Sequence, residues 1–151
     1  MLLPRLAVSS TTLLALMPTK TFPGRYTSLA EISEFVAKAA QDAGLDSKGV
    51  YAVKLAVDEA CTNIIEHGYG GESSGKIECS CDIGRSELTI KLRDWGEAFD
   101  PDAIPEPNFD LPLEELQPRG AGLYLMRQLM DDVRFSFQEE RGNLLVMVKK
   151  K

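Results

Sequence analysis

The hydrophobic pattern of this chain changes its period once, and that change constrains the fold more than any other feature. Before a loop at residues 68–75, which is rich in glycine and serine, apolar residues recur at steps of three and four, as in amphipathic helices. After that loop, apolar residues from Ile77 to Leu92 alternate with polar ones, as in half-buried strands. We expect an α/β (α+β) fold, a two-layer sandwich with helices on one face of a mixed, mostly antiparallel sheet.

Capping and turn residues predict where these elements begin and end. The first helix is predicted to begin at Thr27 or Ser28, with Glu31 completing a capping box, and to end at Gly44. Two further helices are predicted at 48–66 and 122–131. Strands are predicted at 19–26, 76–83, 87–93, 133–137 and 144–149, the first at a sheet edge because it contains Pro23.

Composition excludes several classes of protein. Hydrophobic residues make up 44% of the chain and charged residues 26%, which is enough to build and solvate a globular core. The 23 acidic and 17 basic residues give a net charge of −6, which argues against binding nucleic acid. No apolar run approaches the roughly 18 residues of a membrane-spanning helix. The three cysteines, Cys61, Cys79 and Cys81, are an odd number, and we expect reduced, buried thiols in a cytoplasmic protein.

The amino-terminal segment is treated separately from the rest of the chain. Residues 1–18 are predicted to be an extension or tail, and residues 19–151 a single domain. Two alternatives stay open for this segment. It contains one basic residue before a moderately apolar stretch, as a short signal peptide would, and Met17 could be the true start.

The predicted second helix carries three polar residues at steps of four, Glu59, Asn63 and His67, so they lie along one face or at its end. The amide oxygen of an asparagine suits Mg²⁺, which prefers oxygen ligands and keeps several waters. A carboxylate one turn away could accept a proton from water or an alcohol. The alternative is a solvated polar face with no chemical role.

Two further segments could bind a ligand. Asp94 ends a predicted strand, where its carboxylate could accept a hydrogen bond from an exocyclic amine, and Gly96 would let a planar ring approach the backbone. The alternative there is a plain turn. The segment Arg119-Gly120-Ala121-Gly122-Leu123 opens the predicted third helix, where exposed backbone N–H groups could bind a phosphate. A Rossmann unit is disfavoured because no strand precedes these glycines.

Taken together and in this order, the three segments resemble the conserved boxes of the GHKL ATPase superfamily, whose domain is the Bergerat fold. Residues 59–69 resemble its N box, residues 94–101 its G1 box and residues 119–126 its G2 box. The Asn-x-x-x-His-Gly-Tyr ending of the N box and the Phe-Asp-Pro after the G1 box are most similar to bacterial anti-sigma-factor serine/threonine kinases. The resemblance covers about residues 19–149.

The resemblance implies a different role for each of these residues. Asn63 would bind the Mg²⁺ that bridges the phosphates of ATP, and Glu59 would be the general base that deprotonates a protein serine. Arg119 would be a candidate for stabilising charge on the γ-phosphate, and residues 100–118 would form a lid.

The same resemblance implies how the nucleotide is held. Asp94 would accept a hydrogen bond from the adenine amine, and Gly96 would make room for the ring. Gly120 and Gly122 would cradle the phosphates, and Leu123 would complete the nucleotide-binding segment.

The function implied is an ATP-dependent serine/threonine kinase acting as an anti-sigma factor. Such a protein phosphorylates a STAS-type anti-anti-sigma partner and sequesters a sigma factor, as a cytoplasmic homodimer with no nucleic-acid or membrane partner. One alternative is an ATP-gated adaptor that sequesters its partner without phosphoryl transfer. Another is the catalytic domain of a histidine kinase, which would need a dimerisation helix pair with a phosphoacceptor histidine, whereas the single histidine is His67.

Overall fold

A five-stranded antiparallel sheet forms one layer of the molecule, and three helices pack against it. The computed structural model describes residues 18–112 and 118–151. The strands are β1 (Thr19–Pro23), β2 (Lys76–Ile83), β3 (Glu87–Asp94), β4 (Asp132–Gln138) and β5 (Gly142–Lys150). They lie in the order β1-β2-β3-β5-β4, and all four described pairings are antiparallel. This confirms the predicted sandwich and the edge position of β1.

The helices are α1 (Leu29–Asp42), α2 (Ser47–Asn63) and α3 (Pro118–Leu129). A 3₁₀ turn at Tyr26–Ser28 precedes α1, a π-helical turn at Ile64–Gly68 extends α2, and a 3₁₀ turn at Pro101–Ala103 follows β3. None of the helices among residues 18–112 and 118–151 is both long and apolar enough to cross a membrane. The predicted extension at 1–17 and residues 113–117 of the predicted lid lie outside the described residues.

The core lies between the helices and one face of the sheet. The alternating apolar residues of β2 and β3 are buried there, including Cys79, Cys81 and Leu92, against Val53 and Val57 of α2. Cys61, Cys79 and Cys81 are free and buried, so the prediction of buried thiols is confirmed. Burial of these apolar faces is the main source of stability in a domain of this size.

The first helix begins directly after Ser28, as predicted, but its predicted capping box and the predicted start of the third helix are wrong. The capping box at Ser28 does not form, because the preceding 3₁₀ turn holds Ser28 in helical φ and ψ, and its side chain makes no cap hydrogen bond. The third helix begins at Pro118 and not at Gly122, because a proline at the first helical position needs no N–H partner. At the start of α2, Asp46 is the cap and its Oδ1 accepts a hydrogen bond from Gly49 N at 2.8 Å.

Candidate functional site

The polar face of α2 packs directly against the first turns of α3. A Cβ built on Gly122 would lie 2.8 Å from Glu59 Oε2 and 3.5 Å from Asn63 Nδ2. Any side chain larger than hydrogen at position 122 would displace the Glu59 carboxylate. The candidate residues predicted separately on α2 and α3 therefore belong to one site. Gly122 is the fifth residue of α3, beyond the first four whose N–H groups lack intrahelical partners. Gly122 therefore contributes space for Glu59, whereas Gly120 is among the first four residues, whose N–H groups are available to a ligand.

The carboxylate of Glu59 has a raised pKa. Partial burial is the largest cause, and the neighbouring charges of Asp58 and Glu66 raise the pKa further. Among the described side chains, which are those of residues 18–112 and 121–151, no cation forms an ion pair with Glu59. A carboxylate with a raised pKa holds a proton more strongly than an ordinary one, which suits a general base.

The N-box helix ends in a π-helical turn that local sequence patterns did not predict. Tyr69 N donates to Ile64 O at 2.9 Å, which is the wider spacing of a π turn. Widening this turn leaves Gly68 O free to accept a hydrogen bond from Glu97 N at 2.7 Å. A Cβ on Gly96 would clash with Gly68 O and lie 2.5 Å from Gly68 C. Position 96 therefore requires a glycine because the backbone of Gly68 occupies the space of any side chain there.

Asp94 is a buried carboxylate at the end of β3, only 6% exposed. Its Oδ1 accepts hydrogen bonds from Gly96 N and from Asn143 Nδ2, both at 2.9 Å. Among the residues that the structure describes, no hydrogen bond reaches its other oxygen, Oδ2. Burial raises the pKa of Asp94, although these two hydrogen bonds act in the opposite direction. One carboxylate oxygen is thus fixed and the other is available to a ligand.

Asn143 is a site residue that the sequence analysis missed. Besides Asp94, its amide donates to Gly96 O at 3.1 Å and to Glu97 O at 3.3 Å, and the side chain is buried. It faces Asp94 directly in the register of β3 and β5. The available signal was weak: strand alternation places Asn143 on the same face as Leu145 and Met147, so it is a polar residue in a core-facing position.

Asn143→Ala should destabilise the fold by about 1–3 kcal/mol, since it removes a buried donor shared by three acceptors. The carboxylate of Asp94 would keep a single hydrogen bond, from Gly96 N. Urea unfolding of the variant and the wild type measures this difference. The replacement Gln138→Ala, at the exposed end of β4, is the control, and equal stability of all three proteins would contradict the assignment.

Two cavities meet at Asn63. The first is largely apolar, with Asp94, Glu97, Ser136 and Asn143 among its polar lining residues; its apolar lining includes Ala60, Ile64, Phe99, Met126, Phe135 and Leu145. The second is polar and is lined by Glu59, Thr62, Glu66, His67, Ala121, Gly122 and Leu125. Asn63 lines both. A ligand with an apolar ring and a charged tail would fit, with its ring near Asp94 and its tail passing Asn63 toward Glu59.

The remaining predicted site residues are placed differently. Leu123 is buried in the hydrophobic core, where it anchors α3 to the sheet. His67 lies in the π turn with its Nε2 4.0 Å from Glu66 Oε2. Arg119 is in the first turn of α3, and its side chain lies outside the described part of the structure. From the predicted lid, the ring of Phe109 packs edge-on against Tyr124 of α3, with centroids 5.0 Å apart.

The same residues offer few ligands for a metal ion. The amide of Asn63 is half-buried, lines the polar cavity and makes no hydrogen bond within the described residues. No group of three or more histidine, cysteine or acidic side chains among them could hold a metal ion. One amide oxygen next to a carboxylate fits Mg²⁺, which takes few protein ligands and fills its other positions with water and substrate phosphates.

Several known proteins are similar to this chain. The family model described as histidine kinase-like ATPase domain matches residues 22–149. The serine-protein kinase RsbW of Oceanobacillus iheyensis is 34% identical over 110 residues, covering 70% of this chain and 68% of that protein. Its counterpart from Halalkalibacterium halodurans is 30% identical over 133 residues, covering 85% and 80%.

Among solved structures, the chain resembles the RsbU and RsbW domains of Rv1364c from Mycobacterium tuberculosis, with a TM-score of 0.63. The likeness covers 89% of this chain but spans only 31% of that longer chain. At 15% sequence identity it establishes the shared fold.

Proposed function

The chain belongs to the histidine kinase-like ATPase domain family, and on that premise we propose that it is an ATP-dependent protein serine kinase acting as an anti-sigma factor. One observation carries the proposal: Asn63 lies between an apolar cavity that contains Asp94 and a polar cavity that contains Glu59. The relatives named as serine-protein kinases support the same activity.

ATP fits the two cavities in one orientation. Its adenine ring enters the apolar cavity, and its amine donates a hydrogen bond to Asp94 Oδ2, the oxygen without a hydrogen bond among the described residues. The triphosphate then runs past Asn63 to the first turn of α3. There the N–H of Gly120, close to the positive end of the helix dipole, donates to a phosphate oxygen. Gly122 keeps that approach open.

Mg²⁺ would be held by Asn63 and by the phosphates of the bound nucleotide. When bound, the ion would neutralise phosphate charge, which is the main electrostatic requirement of phosphoryl transfer. Arg119, in the same turn as Gly120, is our candidate for stabilising charge on the γ-phosphate.

Glu59 would act as the general base. It would accept the proton of an acceptor serine while the serine oxygen bonds to the γ-phosphorus, and the bond from that phosphorus to the β–γ bridging oxygen breaks to release ADP. The raised pKa of Glu59 strengthens it for this task. Its position beside Gly122 puts it at the end of the path that the triphosphate takes.

The acceptor that we propose is a serine on a STAS-type anti-anti-sigma protein, and the sequestered protein is a sigma factor. The unphosphorylated acceptor would displace the sigma factor, and phosphorylation would release the acceptor. The proposal includes a homodimeric protein in the cytoplasm. The relatives named serine-protein kinase RsbW support the kinase part of this proposal.

Transfer of γ-labelled phosphate tests the proposal. The purified chain is incubated with labelled MgATP and the proteins of a lysate whose own kinases have been inactivated. A small labelled protein carrying phosphoserine is the expected result, and it identifies the acceptor. If a chain that binds MgATP labels nothing, the protein is instead an ATP-gated adaptor that sequesters its partner without phosphoryl transfer.

A further inference from the structure

The ring of Tyr69 is enclosed by two glycines just after the π-helical turn. A Cβ on Gly75 would lie 2.5 Å from Tyr69 Cε1, and a Cβ on Gly24 would lie 3.3 Å from Tyr69 Cδ2. These two glycines also bond to each other, since Gly24 N donates to Gly75 O at 2.8 Å. The ring is therefore held between the end of β1 and the start of β2, and its hydroxyl is aimed in one direction.

The hydroxyl of Tyr69 makes two hydrogen bonds, one as a donor and one as an acceptor. It donates to Lys76 O at 2.6 Å and accepts from Trp95 N at 3.0 Å. A phenol has one hydrogen to donate and can also accept, so both bonds form together. Tyr69 thereby connects the first residue of β2 to the residue that follows β3.

Trp95 lies between the two residues that define the ring end of the cavity. Gly96 N donates to Asp94 Oδ1, and Asn143 holds the same segment from the opposite side through three acceptors. Among the described residues, the N–H of Trp95 donates a hydrogen bond only to the hydroxyl of Tyr69. Without that bond, the segment keeps its hydrogen bonds from Asn143 and the bond from Glu97 N to Gly68 O, but the N–H of Trp95 has no partner among the described residues.

We propose that Tyr69 is a positioning residue for the nucleotide base: its hydroxyl fixes the backbone at Trp95 and so sets the direction of the Asp94 carboxylate. This inference rests on the proposed function, because it assigns Asp94 to the base. Tyr69 acts through Trp95 and does not touch the nucleotide. Loss of its hydroxyl should weaken recognition of the adenine amine and leave the phosphate end of the site unchanged.

Tyr69→Phe removes the hydroxyl and keeps the ring. Its Kd for MgATP should rise about threefold to tenfold, the effect of one net hydrogen bond. Its Kd for MgITP, which lacks the exocyclic amine, should change less than about twofold for the same reason. Titration calorimetry measures both. Tyr51→Phe is the matched control, because Tyr51 is 65% exposed and its hydroxyl makes no hydrogen bond within the described residues.

The fluorescence of Trp95 gives a readout that needs no nucleotide. Trp95 is the single tryptophan of the chain and is 42% exposed. In Tyr69→Phe, acrylamide should quench its emission more strongly than in the wild type, and in Tyr51→Phe equally. Gly75→Ala is the second variant: it keeps the hydroxyl but displaces the ring, and it should reproduce the effects of Tyr69→Phe.

Each result decides the inference separately from the proposed function. Unchanged MgATP affinity and unchanged quenching in Tyr69→Phe would overturn it. Equal losses of affinity for MgATP and MgITP would also overturn it, because they indicate general loosening of the fold. A wild-type chain that binds no nucleotide would refute the proposed function, and the quenching experiment would still decide whether Tyr69 holds the Trp95 segment.

Discussion

Glu59→Gln should slow phosphoryl transfer by about 100-fold to 10,000-fold while MgATP binds with unchanged affinity. The amide of glutamine has the size of the carboxylate, so it fits the space beside Gly122, where Glu59 Oε2 lies 2.8 Å from the position of a Cβ. It cannot accept the serine proton. The loss therefore falls on the chemical step and leaves nucleotide binding intact, since Asp94 and Asn63 are unchanged.

The measurement compares labelled transfer into the identified acceptor with calorimetric binding of MgATP. Glu34→Gln is the matched control, because it makes the same chemical change at an exposed position of α1 that forms no ion pair among the described residues. We expect Glu34→Gln to keep the wild-type transfer rate. Full transfer by Glu59→Gln would show that another group is the base.

Asp94→Asn should weaken MgATP binding by about 100-fold, because hydrogen bonds to charged groups contribute about 1.5–3 kcal/mol. The asparagine oxygen can keep the bonds from Gly96 N and Asn143 Nδ2 that now end on Oδ1. Its NH₂ group then takes the position of Oδ2, where it would face the adenine amine, a second donor. Calorimetry measures the loss, with Asp82→Asn on the opposite face of the sheet, paired with Lys91, as the control. Wild-type affinity in Asp94→Asn would remove Asp94 from the base site.

The same substitution should alter the pH dependence of stability. Burial raises the pKa of Asp94 above its ordinary value of 3.8, so the folded protein retains a proton that the unfolded chain has released. The contribution of Asp94 to the free energy of unfolding is therefore largest below that ordinary pKa and decreases as pH rises through the folded pKa. Asp94→Asn removes this decrease, so its stability relative to the wild type, measured by urea unfolding, should increase between about pH 3 and about pH 8.

Much of the fold follows from local patterns. The alternation of β2 and β3 depends only on which side chains prefer water, and the structure places those strands where the pattern predicts. Gly44 closes α1 at a φ of +88°, a conformation that glycine adopts without strain. The spacing of Glu59 and Asn63 already requires that they share one helix face. These features are set by neighbours in sequence, so the sequence predicts them.

The missed π turn and the missed Asn143 depend on partners distant in sequence, whereas the two errors near helix starts have local causes. Ser28 is a residue type that often caps a helix, but it lies in a turn that already has helical geometry. The π turn at Ile64–Gly68 exists where Gly68 O meets Glu97 N, and these residues come together only in the folded chain. Asn143 belongs to no local motif, and its importance arises from the register that sets it opposite Asp94.

The sequence by itself determined the two layers, most of the elements, and a helix face carrying a carboxylate and an amide, because hydrophobic periodicity and turn residues act over a few neighbours. The tertiary structure decided what these parts do together. Packing of α3 on α2 leaves room for the Glu59 carboxylate only because residue 122 is a glycine. Strand register fixes one oxygen of Asp94 and leaves the other available. Tyr69 bonds to Trp95 on one side, and Asn143 bonds to its neighbours Asp94 and Gly96 on the other. Such contacts join residues far apart in the chain, and only packing and strand register bring their atoms within hydrogen-bonding distance.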